Sequence, residues 1–278
     1  MMHAQPSQPY YVPEPSPWPI VGSIALLTLA TGFILLLAKV AAGPYVMALG
    51  LGILVVMLVG WFGTVIRENQ AGKLEGQMDT SFRWGMVWFI FSEVMFFAAF
   101  FGALFYIRSV AVPSLAGTPE LWPGYAGTWP TAGPAAKAAF TPMSAWGIPA
   151  INTLILLSSG VTVTIAHWGL KLGKRRQLKL GLLATILLGL LFLSLQAYEY
   201  LEAGFSLSSG IYGATFYMLT GFHGLHVTLG AIMLAVILGR VLAGHFTPSQ
   251  HFGFEAVSWY WHFVDVVWLL LFVCVYWL

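Results

Sequence analysis

The sequence predicts an all-α integral membrane protein that crosses the bilayer seven times. Three observations carry that prediction. Of 278 residues, 59% are hydrophobic and 8% charged, where a soluble domain carries roughly a quarter charged, and the mean hydropathy is +0.82. Uninterrupted apolar stretches reach the ~20 residues that span a bilayer as helix. Lys and Arg collect in alternate connections between those stretches. The net charge of +2 gives no electrostatic footprint for nucleic acid, and no block of like charge is long enough to form a tail. Cys274 is the single cysteine, which excludes a disulfide framework and any multi-cysteine metal centre.

Residues 1–17 (MMHAQPSQPYYVPEPSP) hold five prolines and no Lys or Arg. They are expected as an irregular cytoplasmic tail, without the basic start and small-residue cleavage site of a signal peptide. The apolar runs then place spans at about 18–40, 45–66, 82–108, 145–169, 178–202, 212–242 and 254–277. Only AAGP separates the first two, so they are expected as a tight helical hairpin. RENQAGKLEGQMDTSFR, 67–83, is polar and Gly-containing and is expected as a cytoplasmic loop. The Pro/Gly/Trp-rich segment 109–144 is the largest extramembrane piece. No internal repeat is evident, and so no sign of the inverted halves of many secondary transporters.

Seven spans put the N-terminal tail and the connections 2–3, 4–5 and 6–7 on one side. That side holds Arg67, Lys73, Arg83, Lys171, Lys174, Arg175, Arg176, Lys179 and Arg240, nine of the twelve basic residues; Lys39, Arg108 and Lys137 fall on the other. The positive-inside rule places the N-terminus in the cytoplasm and the C-terminus outside.

Five ionisable residues fall near the middle of spans 3, 6 and 7: Glu93, His223, His226, His262 and Asp265, with His167 and Glu199 nearer the ends. Each charge at such depth costs at least a few kcal/mol, so these groups face protein or water and pair with one another. FIFSEVMFFAAFFGALFY, 89–106, offers Glu93 no ionisable partner, so its partner must come from another helix. Measured at ~1.5 Å per residue, His223 and His226 reach the same depth, and a polar lock between Glu93 and one of them is expected. Three roles stay open on the residues: interhelical hydrogen bonds that fix packing, a metal or haem site on His223 and His226, and a proton path through Glu93 and Asp265. Arg67, Glu68, Arg240, His245 and His251 gather at the cytoplasmic ends of spans 2, 6 and 7, as a solvated rim or a clamp for lipid phosphate.

FSEVMFFAAFFGALFY (91–106), INTLILLSSGVTVTIAHW (151–168), LQAYEYLEAGFSLSSGIYGATFYMLTGFHGLHVTLGA (195–231) and HFGFEAVSWYWHFVDVVWLLLFVCVYW (251–277) resemble subunit III of the aa3-type cytochrome c oxidases. The similarity runs from about Trp61 to the C-terminus, with GFHGLH and WYWHFVDVVW its most specific parts. The long 109–144 segment resembles bacterial members, which implies a bacterial plasma membrane with the C-terminus periplasmic. The family fold is a two-helix hairpin, here 18–66, splayed from a five-helix bundle, here 84–278, with phospholipid in the cleft.

The resemblance implies an accessory subunit without its own redox centre: haem a, haem a3 and copper belong to partner subunits I and II. Such a subunit docks on subunit I of a proton-pumping complex that reduces oxygen with electrons from cytochrome c. It supports proton uptake, protects against inactivation during turnover and holds structural phospholipid. Glu93 matches the buried carboxylate of the SEV motif, and Arg67, Glu68, Arg240, His245 and Thr247 match positions that hold lipid headgroups. NQAGKLEGQ, after Glu68, lacks the paired histidines of the mitochondrial pattern. Two rivals follow from the residues alone: a stand-alone transporter or proton channel using Glu93 and Asp265, and a haem-bearing quinone oxidoreductase subunit.

Overall fold

The computed structural model describes residues 11, 14–74, 76–136 and 141–278. Most of the expected tail, and Lys137 on the expected outer side, lie outside the described residues. Among these, the chain is all helix and turn, with no strand, and seven helices are long and apolar enough to cross a membrane. They are α1 (Trp18–Leu37), α2 (Gly43–Gln70), α3 (Gln77–Ala116), α4 (Ile148–Lys171), α5 (Arg175–Glu202), α6 (Ile211–Leu242) and α7 (Phe252–Trp277). Pro19, Pro44 and Pro149 sit in the first turns of α1, α2 and α4, where the missing N–H has no intrahelical acceptor to lose.

Two helices run further than their apolar stretches. α2 continues through Arg67–Gln70 and α3 begins at Gln77, so the expected 67–83 loop shrinks to the few residues between those two helices. Arg, Glu and Gln are good helix formers, so the hydrogen-bond ladder outlasts the hydrophobic run. At its other end α3 passes through a π turn, Ile107–Ala111, and a last helical turn, Val112–Ala116.

The chain divides into two compact units, up to Phe82 and from Arg83 onward. In the first, α1 packs along α2. A Cβ at Gly32 would collide with the Met47 backbone, and one at Gly50 would lie 2.6 Å from the Leu29 nitrogen. Bare glycines therefore let the two backbones approach closely, the packing that stands in for a hydrophobic drive inside lipid.

In the second unit α4 packs on α5, α5 on α6, α6 on α7, and α7 back on α4. Trp261, Trp268, Phe192, Phe216 and Leu156 fill the centre of this ring and are fully buried. From Arg83 onward α3 joins through large aromatic side chains: Phe96 meets Phe222 at 5.1 Å and Phe89 stacks on Tyr260 at 6.2 Å between ring centroids. Arg108 donates to the Cys274 and Leu278 carbonyls at 3.1 and 2.8 Å. It thereby satisfies acceptors that the end of α7 leaves without intrahelical donors.

Candidate functional site

Glu93 on α3 meets His226 on α6, with 2.9 Å between Oε2 and Nε2. His226 Nδ1 lies 2.7 Å from the Phe222 carbonyl of its own helix. A carbonyl only accepts, so Nδ1 carries a hydrogen. The Nε2–Oε2 contact then needs one further proton, held by the carboxyl or by the ring. Each arrangement leaves the pair with no net charge, which limits the cost of placing it at membrane depth. Phe97 closes over the imidazole at 4.9 Å and Tyr260 stacks beside it at 6.3 Å. His226 is buried, and the Glu93 side chain retains 22% exposure.

His223 takes a different partner. Its Nε2 lies 3.2 Å from the Val264 carbonyl on α7, and its ring packs on Trp268 at 5.1 Å and Phe192 at 5.6 Å. Nε2 is therefore the donor, and Nδ1 has no hydrogen-bond partner among the described residues.

His262 and Asp265 form a third group, between α4 and α7. Thr164 donates its hydroxyl hydrogen to the Gly160 carbonyl at 2.9 Å, so His262 Nε2 must donate to Thr164 Oγ1 across 3.2 Å. His262 Nδ1 faces Asp265 Oδ2 at 3.5 Å. A Cβ at Gly160 would overlap the Asp265 carboxylate, so the glycine makes room for it. Gly160, Thr164, Trp168, His262, Asp265 and Leu269 line an open groove of about 470 Å³. The five residues expected at one polar layer thus bind three separate sets of partners.

The residues expected at lipid headgroups fall in both units. In the first, Arg67 donates to Thr64 Oγ1 at 3.1 Å, and Glu68 Oε1 accepts from the Tyr11 hydroxyl at 3.3 Å. In the second, the Arg240 guanidinium lies 4.3 Å above the Phe246 ring. Arg240 Nε and His245 Nδ1 are buried without a hydrogen-bond partner among the described residues. Thr247 closes its own turn, accepting from the Gln250 N–H at 3.0 Å.

Two polar groups escape a count of mid-membrane charges. Asn152, Gln196 and Glu199 are buried, and the amide of Gln196 approaches the Tyr276 hydroxyl at 3.5 Å. Asn152 and Gln196 are uncharged, so a search for ionisable residues passes over them. At the other end of the bundle, His167, His251 and Glu255 converge, with Arg83 on the outer oxygen of Glu255. The i,i+4 spacing of His251 and Glu255 is visible in the sequence; the approach of His167 from α4 is not.

The family model for cytochrome c oxidase subunit III matches residues 8–278. The chain is 47% identical over 270 residues to cytochrome c oxidase subunit 3 of Branchiostoma lanceolatum, covering 97% of this chain and 96% of that one. It is 45% identical over 275 residues to the protein of the same name from Cyprinus carpio, covering 99% and 98%. The corresponding figures for Marchantia polymorpha are 43% over 277 residues, 99% and 98%.

Proposed function

The chain belongs to the cytochrome c oxidase subunit III family, and on that ground we propose that it serves as the accessory subunit of a proton-pumping oxidase. It docks on subunit I beside subunit II, stabilises subunit I and supports proton uptake from its side of the membrane. Haem a, haem a3 and copper reside in those partners, and cytochrome c delivers electrons to them. The observation that carries this reading is the use made of the embedded histidines. His226 spends both ring nitrogens on Phe222 and Glu93, and His223 spends Nε2 on Val264. These rings tie α6 to α3 and α7, which is the work of a scaffold.

The test is purification of the tagged chain in mild detergent. Haem a absorption should follow the partner subunits and leave the isolated chain colourless. A chain that purifies without haem-bearing partners and moves protons alone in vesicles would replace this reading with the channel.

The membrane we assign is a bacterial plasma membrane, on the length of the 109–144 segment; the relatives named above are from a lancelet, a fish and a liverwort. Nine of twelve basic residues on one side favour a cytoplasmic N-terminus and a periplasmic C-terminus. A cysteine introduced into the 109–144 segment should react only with reagent added outside; labelling from the cytoplasm would reverse the orientation.

Phospholipid is the other ligand we assign, held separately in each unit. Arg67, beside Glu68, offers a guanidinium in the first. Arg240 and His245, near Thr247, offer a guanidinium and an imidazole in the second, where Arg240 Nε and His245 Nδ1 have no hydrogen-bond partner among the described residues. Arginine pairs bidentately with phosphate. Arg240→Ala and Arg67→Ala should each lower the phospholipid retained through purification, counted by mass spectrometry. Unchanged lipid content in both variants would remove this role.

A further inference from the structure

His167 lies in the last turns of α4, His251 caps the start of α7, and Glu255 follows one turn later on the same face. Glu255 Oε1 faces both imidazoles: His167 Nε2 and His251 Nε2 each stand 3.6 Å from it. One donor atom from each of the three residues lies within 4.8 Å of the other two. The other carboxylate oxygen, Oε2, is held by Arg83 Nη1 at 2.6 Å.

The distances are long for hydrogen bonds, and neither ring nitrogen of His251 has a hydrogen-bond partner among the described residues, nor does His167 Nε2. His251 is nine-tenths buried, with 10% of its side chain exposed. A buried imidazole with both nitrogens unsatisfied needs a physical explanation, and an ion is one of the few available. Ligands bound tetrahedrally to zinc at ~2.0–2.1 Å stand roughly 3.3–3.4 Å apart. The two carboxylate–imidazole separations of 3.6 Å therefore need close by only a few tenths of an ångström, and the two imidazoles, within 4.8 Å of each other, draw together as the ion seats. Two imidazoles and one carboxylate are a borderline donor set suited to zinc, and three protein ligands leave its fourth position to water. Arg83 orients the ligating carboxylate from behind, the usual arrangement for a metal-bound acid.

We propose that His167, His251 and Glu255 form a Zn²⁺ site that ties the end of α4 to the start of α7, with Arg83 of α3 as the residue that positions Glu255. The site is separate from the Glu93–His226 pair, and its existence does not depend on the oxidase reading, because metal is counted per copy of this chain.

The complex containing the chain is stripped with a chelator, reloaded with Zn²⁺ and desalted. Zinc is then counted by mass spectrometry against the amount of this chain. The unaltered protein should hold one more zinc per chain than His251→Ala or His167→Ala. Arg83→Gln should keep the site but weaken it about 10–100-fold. Equal zinc in all the proteins overturns the proposal. Variants can fail to assemble, so the unaltered protein supplies a second readout: Zn²⁺ should slow diethylpyrocarbonate modification of His167 and His251, followed by peptide mass. Modification at equal rates with and without Zn²⁺ also overturns it.

Discussion

Replacing Trp261 by Ala should cost the unit from Arg83 onward about 3–5 kcal/mol, the range for emptying a large aromatic site in a packed core. The indole is fully buried, and three neighbouring helices are built around it. On α4, Ser159 Oγ accepts from its Nε1–H at 2.9 Å while donating its own hydrogen to the Leu156 carbonyl at 2.6 Å. On α5 and α6, a Cβ at Gly189 would stand 2.7 Å from the ring and one at Gly230 would stand 2.8 Å from it. Both positions are bare because the ring occupies the space. Lipid cannot fill a void closed on all sides, so Ala forfeits the dispersion contacts outright. It also leaves Ser159 Oγ with one acceptor site unused. Trp261→Phe retains most of the contact surface and loses the hydrogen bond, and should cost distinctly less. Thermal unfolding of the purified complex, followed by release of this chain, measures both. An Ala variant that unfolds at the original temperature would show that the ring of helices does not depend on its centre.

The seven spans were legible because each is a long apolar run, and lipid leaves a chain no other way to satisfy its backbone there. Their ends were not. Arg67–Gln70 and Gln77–Phe82 look like loop by hydropathy, yet they continue helices whose backbone bonding is indifferent to which solvent surrounds it. Depth was legible too, since counting residues from the span ends brought Glu93 level with the α6 histidines. Facing was not. At ~100° per residue, His223 and His226 differ by roughly 60° around α6, enough to send one to Val264 on α7 and the other to Glu93 on α3. His262 and Asp265 share the depth but occupy the face of α7 that meets α4, where His262 bonds to Thr164 and faces Asp265. In the cluster of His167, His251 and Glu255, His167 lies 84 positions before His251 in the chain, and no local pattern announces such a pairing.

Glu93→Gln should leave assembly and oxygen consumption near their original values, whereas Glu93→Ala should loosen the chain from its complex. The difference follows from the proton count. With Nδ1–H committed to Phe222, His226 Nε2 can accept, and the amide of Gln can donate to it across the same 2.9 Å. Alanine offers no donor, and it strands a ring nitrogen of a buried histidine beneath Phe97 and Tyr260. An unsatisfied buried polar group costs about 1–3 kcal/mol, and the lost side chain adds a void between α3 and α6. His226→Ala should cost a similar amount by exposing Glu93 to the same isolation. The double variant should then cost less than the sum of the two, because removing both partners leaves nothing stranded. Retention of the chain through purification, compared across the four proteins, gives that coupling directly. Initial oxygen consumption and proton release by Glu93→Gln in vesicles then separate a lock from a relay. A lock needs only the hydrogen bond, so the Gln protein should pump. A relay needs a group that gives up and regains a proton, which an amide cannot do. Loss of pumping by Glu93→Gln in a fully assembled complex would therefore move Glu93 from the scaffold to the proton path.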